Sequence, residues 1–228
     1  MAPTLLRPAL PLLLSFNAGF VDTAGFLALH GLFTAHVTGN FVTLGASLVL
    51  GTSGAIAKLL ALPVFCVVVI ASRLLSSALL ARSLPALNII LAVKLVLLTA
   101  GAVLAIRFGP FADGDAASAV LTGMVLVAAM AVQNAAHRIH LGSAPPSTLM
   151  TGTTTQIMID LADMLRGPTG QSDGSGQRLG RMSTNILAFA LGCAAAALLY
   201  ARFGVWCFLA PPILAAAALC VRAGISDE

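Results

Sequence analysis

The chain has 228 residues, 59% of them hydrophobic and 9% charged, with mean hydropathy +1.00 and a formal net charge of +4. An ordinary soluble domain is about 25% charged, so this composition cannot coat a soluble surface of that length. The basic residues stand singly near the ends of apolar runs and form no cluster with interleaved aromatics, which argues against a nucleic-acid partner.

A helix needs roughly 20 apolar residues to cross a bilayer. In lipid every backbone polar group must be paired within the protein, so spans are helices or closed barrels. The runs here are continuous Ala, Leu, Val and Ile rather than alternating, which predicts an all-α membrane protein with six to eight transmembrane helices. In chain order the apolar segments are Ala9–Leu29, Leu32–Leu50, Ala55–Leu80, Ala86–Ile106, Ala117–Ala136, Thr148–Leu165, Met182–Tyr200 and Val205–Val221. Pro85, Gly109-Pro110 and Pro145-Pro146 punctuate them. The first follows one basic residue, Arg7, carries Asn17 and Asp22, and runs directly into more membrane sequence, so it reads as a retained helix. Residues 167–180 (GPTGQSDGSGQRLG) read as a flexible surface loop. Cys66, Cys193, Cys207 and Cys220 lie in apolar runs without a Cys-x-x-Cys pair, so no disulfide framework, metal or cofactor is expected.

The two halves share a layout. Asp22 in the first segment is followed sixteen residues later by Thr38-Gly39-Asn40. Asn134 in the fifth, within Gln133-Asn134-Ala135-Ala136, is followed seventeen residues later by Thr151-Gly152-Thr153. The offset of about 112 residues predicts two internal repeats, about 9–107 and 117–222, in a single integral membrane domain. Eight crossings would make the repeats parallel. If each Thr-Gly segment is broken or re-entrant, each half crosses three times and the repeats are inverted. Lys58 and Arg107 exchange sides with Arg82 and Arg138 between the two arrangements. With the intramembrane Arg73 and Lys94 left out, the positive-inside rule gives seven basic residues against three in either case. Both termini are therefore expected in the cytoplasm, and the number of crossings stays open.

Polar residues within spans are costly and point to a site. Asp22 shares a helical face with Ser15, Gly19 and Phe26, beside Gly25. It reads either as a proton, cation or substrate ligand or as half of an ion pair with Lys94 or Arg73. Gln133, Asn134 and His137 lie on one side of the fifth helix, as a cavity wall or as interhelical hydrogen bonding. Thr38, Gly39 and Asn40, and Thr151, Gly152 and Thr153, read as broken-helix termini or as close packing through small residues. His30, His36 and His140 read as interfacial. Asp160 and Asp163, with Arg166 one turn on, read as an interfacial ion pair.

Phe16-Asn17-Ala18-Gly19-Phe20-Val21-Asp22, then Gly31-Leu32-Phe33-Thr34-Ala35-His36-Val37-Thr38-Gly39-Asn40, resembles the first-half signature of the YoaK-like family of uncharacterised bacterial membrane proteins. Met130-Ala131-Val132-Gln133-Asn134-Ala135-Ala136 and Met150-Thr151-Gly152-Thr153 resemble its second-half signature. The resemblance spans essentially the whole chain. It implies a multi-spanning protein of the bacterial inner membrane and no known reaction. The run Thr153-Thr154-Thr155-Gln156 is richer in hydroxyls than the family pattern, which leaves ligand specificity open.

The leading expectation is a small-molecule transporter or permease, not an enzyme. Its site lies between the repeats, with Asp22 and Asn134 as equivalent lining groups and Thr38, Gly39 and Asn40 facing Thr151, Gly152 and Thr153. Its partners are the lipid bilayer and an unidentified small molecule or ion, and self-association into a homo-oligomer stays open. The alternatives are a structural or assembly protein of the membrane and, less favoured, an intramembrane enzyme. For an enzyme there is no Gly-x-Ser-x-Gly or zinc motif.

Overall fold

The computed structural model describes residues 3–166 and 175–226. Its helices are α1 (Pro3–Ala28), α2 (Asn40–Leu50), α3 (Ala55–Ala81), α4 (Ala86–Phe108), α5 (Ala117–His140), α6 (Met150–Leu165), α7 (Ser175–Phe203) and α8 (Ala210–Ser226). Short 3-10 turns, Val37–Gly39 and Gly204–Leu209, precede α2 and α8. Among the described residues there is no strand.

Five stretches are long and apolar enough to cross a membrane: Ala9–Ala28, Ala55–Ala81, Ala86–Phe108, Ala117–His140 and Gly176–Gly224. The last is 49 residues long and contains both α7 and α8. Gly204 interrupts it with a left-handed backbone at φ +54. The outer surface carries many large apolar side chains. Val49 is 85% exposed, and Val67, Leu74 and Leu198 are also exposed, as helices that face lipid require.

The helices pack across the two halves. α1 packs on α7 and α3 packs on α5, while α8 lies against α1 and α4 against α5. α2 packs on α3, α6 on α7, and α4 on α8. The α1 and α7 axes run the same way, because Ser15 Oγ donates to Asn185 Oδ1 at 2.7 Å and Gly19 lies against Phe189. The α1 and α5 axes run oppositely, because Gln133 bonds Leu14 while Gly123 touches Leu29 and Leu32. The α1–α7 contact depends on glycine from both sides. A Cβ at Gly19 would strike the Phe189 carbonyl, and one at Gly192 the Phe16 carbonyl.

The chain between α1 and α2 departs from the expected second span. Helix does not resume at Leu32. His30 and Gly31 take left-handed backbone at φ 53 and 85, and turn the chain back. His30 holds this strained conformation with two ring contacts, Nε2 to the Phe111 carbonyl at 2.9 Å and Nδ1 to Ser53 Oγ at 3.2 Å. The far end of α2 returns to the same place, since Gly54 lies against His30. There Asp115, from the loop before α5, accepts from the amides of Gly54 (2.9 Å) and Ile56 (2.8 Å) and caps the start of α3. Desolvation opposes the charge of Asp115, but the Ile56, Gly54 and Ala55 amides outweigh it and hold the carboxyl below its usual range.

The expected loop at 167–180 is in part helix. Ser175–Gly180 form the first turns of α7, while 167–174 lie outside the described residues. Arg178 in that first turn forks onto Asp160 of α6, with Nη2 2.6 Å from Oδ1 and Nε 2.9 Å from Oδ2. This tertiary tie overrides the weak helix propensity of Gly176 and Gly180. Asp160 therefore pairs across to α7. Among the described residues, Asp163 and Arg166 share only a backbone hydrogen bond.

Candidate functional site

Asp22 lies six residues before the end of α1 and is 4% exposed. A carboxylate there needs its lone pairs filled, and they are filled by the segment leading into α2. Oδ1 accepts from the amides of Thr34 and Ala35, both at 2.7 Å, and from Thr34 Oγ1 at 3.3 Å. Oδ2 lies 2.7 Å from His36 Nδ1. His36 donates to the carboxylate in the tautomer with its proton on Nδ1. The partner of Asp22 is thus His36, and the expected ion pair with Lys94 or Arg73 does not form. The His36 side chain is 34% exposed, with its ring edge-on to Phe189 of α7 at 5.4 Å.

On α5, Asn134 also ties to the segment before a short helix. Its Oδ1 accepts from Thr148 Oγ1 at 2.6 Å, and its Nδ2 donates to the Met130 carbonyl. Thr148 belongs to the segment leading into α6. Its backbone lies close to the His36 ring without a hydrogen bond of ordinary geometry. The Asp22–His36 pair and the Asn134–Thr148 pair thus lie side by side on one polar path, where the segments before α2 and α6 come together.

Gln133 is fully buried beside this path. Its Nε2 donates to the Leu14 carbonyl and to Ser147 Oγ, both at 2.9 Å, and its Oε1 has no partner among the described residues. α4 and α5 are antiparallel, with Gly101 against Leu126, so Lys94 lies level with Gln133 two turns along. Lys94 is 1% exposed and its ammonium has no partner among the described residues. Asn17 Oδ1, on α1, is also buried without a partner among the described residues, while Asn17 Nδ2 reaches the Pro211 carbonyl at 3.3 Å.

The Thr-Gly motifs act differently from their expected role. Gly39 has ordinary helical backbone at φ −61, and Thr151-Gly152-Thr153 sit inside the unbroken helix α6. The breaks lie just before the motifs, at 29–36 and 141–149. Asn40 is buried and fastens the first break, accepting from the Phe33 amide and donating to its carbonyl. Gly39 gives room to the Phe33 ring, which a Cβ would meet at 2.9 Å. Thr153 is buried and bonds the Leu149 carbonyl one turn back. Thr38, Thr151 and Gly152 are exposed, and among the described residues no hydrogen bond joins the two motifs. Thr154 and Thr155 likewise bond the Met150 and Thr151 carbonyls of their own helix.

His137 is buried at the end of α5, away from Asp22, in the wall of a separate cavity with Arg138, Arg178 and Arg181. His36 and Thr148 were not expected in the site. The one sequence signal for His36 is its place two residues before Thr38-Gly39-Asn40. No group of three metal-ligating side chains assembles among the described residues.

A family model described as a protein of unknown function (DUF1275) matches residues 10–221. This agrees with the YoaK-like resemblance of the two signatures. No curated protein and no solved structure matches the chain.

Proposed function

Because the chain belongs to the DUF1275 family of proteins of unknown function, we propose its role from the geometry. It is a small-molecule transporter or permease of the bacterial inner membrane, with its substrate path where the two halves meet. The observation that carries this reading is the pairing of Asp22 with His36 and of Asn134 with Thr148, side by side. Two polar residues at matched places each hold the segment entering a short helix, and the two segments touch. The starts of α2 and α6 therefore converge on the centre, which is how discontinuous helices present their termini to substrates and coupling ions.

The packing supports two inverted repeats. Exchanging α1 with α5, α2 with α6, α3 with α7 and α4 with α8 carries α1–α7 onto α5–α3, α1–α8 onto α5–α4, and α2–α3 onto α6–α7. Since α1 and α5 run oppositely, the repeats are inverted, each with three crossings and one re-entrant helix. The face holding both termini then carries Arg7, Arg82, Arg138, Arg166, Arg178, Arg181 and Arg222, and the other face Lys58, Arg107 and Arg202. The positive-inside rule makes the first face cytoplasmic.

Sidedness tests the architecture. With the native cysteines replaced, Thr52→Cys is expected to label from outside the cell and Arg138→Cys from the cytoplasm. Both positions are exposed. The reverse pattern would indicate eight crossings and remove the inverted repeat. Uptake tests the activity. Proteoliposomes are screened with a panel of labelled small molecules and ions, and any solute taken up is retested with Asn134→Ala. At least a tenfold loss is expected, on the order of the 1.4 kcal/mol that one buried hydrogen bond can supply. Full-rate uptake in that variant would sink the assignment of the path.

A further inference from the structure

A cavity of about 290 Å³ opens beneath residues 142–146, between the end of α5 and the start of α7. Its polar lining comes from His137, Arg138, Ser143, Arg178 and Arg181. Arg178 is already matched by Asp160. Arg181 gives one Nη2 hydrogen bond to the Ser143 carbonyl at 3.2 Å, and Arg138 is exposed. No carboxylate among the described residues pairs with Arg138 or Arg181. His137 is 7% exposed, and its Nδ1 makes no hydrogen bond of ordinary geometry among the described residues, although the Ala144 backbone lies close to the ring. The cavity thus gathers two guanidinium groups, unpaired with any carboxylate among the described residues, around a buried imidazole.

We propose that this cavity binds a phosphate anion. Guanidinium groups match phosphate oxygens in a bidentate fork, and every cation here is arginine, while the two lysines of the chain, Lys58 and Lys94, lie elsewhere. His137 lies in the last turn of α5 and Arg178 in the first turn of α7, which sets the cavity at the depth of lipid headgroups. The phosphate comes either from an anionic phospholipid of the adjoining leaflet or from free phosphate in solution. The site is separate from the Asp22–Asn134 path and does not depend on transport.

The test uses the full chain in neutral detergent. Its thermal midpoint is followed with added phosphatidylglycerol, phosphatidylcholine, inorganic phosphate or, as a salt control, chloride. Phosphatidylglycerol is expected to raise the midpoint and phosphatidylcholine to leave it unchanged. A response to inorganic phosphate beyond that to chloride, without a lipid response, assigns the site to free phosphate. Replacing both Arg138→Gln and Arg181→Gln is expected to raise the half-saturating concentration roughly thirtyfold, from the loss of two surface arginines. The pair Arg138→Lys and Arg181→Lys keeps both charges and the fold, and is expected to bind severalfold more weakly because an ammonium cannot fork. The proposal is overturned if the parent responds to neither phosphate source, or if both double variants bind as the parent does.

Discussion

Asp22→Ala is expected to destabilise the protein by about 2–6 kcal/mol, because two interior amides each lose their acceptor at about 1–3 kcal/mol. The loss follows from what remains. The Thr34 and Ala35 amides would be left in the interior without their acceptor, and His36 without its carboxylate. The segment before α2 would lose its anchor. Asp22→Asn separates structure from charge. Its Oδ1 still accepts from both amides, and His36 can shift its proton and accept from the new Nδ2, so the expected cost is about 1 kcal/mol. Denaturation in detergent measures both variants. If Asn preserves stability while uptake falls, the negative charge itself takes part in transport. An Asp22→Ala protein as stable as the parent would remove the carboxylate from any anchoring role.

Lys94→Met is expected to act in the opposite direction and raise stability by about 1–4 kcal/mol, as apolar replacement of buried ionic groups often does. Lys94 is as buried as Phe20 or Leu14. The other buried charged side chains have partners: Asp22 has His36, Lys58 has Ser47 Oγ at 2.7 Å, and Asp160 has Arg178. Methionine is also unbranched, is one atom shorter, and removes the amino group that has no partner among the described residues. Chemical denaturation of the two proteins in the same micelle gives the answer. A less stable methionine variant would show that the ammonium is held by a bound water or ion between α4 and α5, level with Gln133 Oε1. A stabilised variant that no longer transports would identify Lys94 as a polar group retained for function at a cost in stability.

The membrane spans were legible because hydropathy accumulates over twenty residues and tolerates boundary errors. The halt between α1 and α2 was not. Leu32–Leu50 is long and apolar enough to read as a full crossing, and the feature that interrupts it is a carboxylate twelve to fourteen residues upstream. Helical periodicity compares residues three, four and seven apart, so it cannot register that grip. Charge alone points Asp22 toward cations on other helices, whereas its partner, His36, lies in the chain that follows α1. Asp22, Asn134 and Gln133 were legible as polar residues where polarity is costly. Thr38, Thr151 and Gly152 were not separable from Asn40 and Thr153 by motif alone, because which face of a short helix turns outward is decided by its packing on α3 or α7. Composition also overstated the loop at 167–180, where an Arg178–Asp160 fork outweighs two glycines.

The pairing of α1 with α7 has a consequence for how the protein is made. Ser15 and its partner Asn185 are 170 residues apart, so at ordinary translation speed the first helix leaves the ribosome on the order of ten to thirty seconds before its companion. During that interval the glycine-lined flank of α1 has only lipid or the insertion machinery to cover it, while the Asp22 clamp, closed within fourteen residues, can already form. Biogenesis thus begins with a locally locked hairpin and ends with a late zipping of the last helices onto the first. Neither half carries the surface that would complete it, so the two must be synthesised as one chain or meet again inside the bilayer.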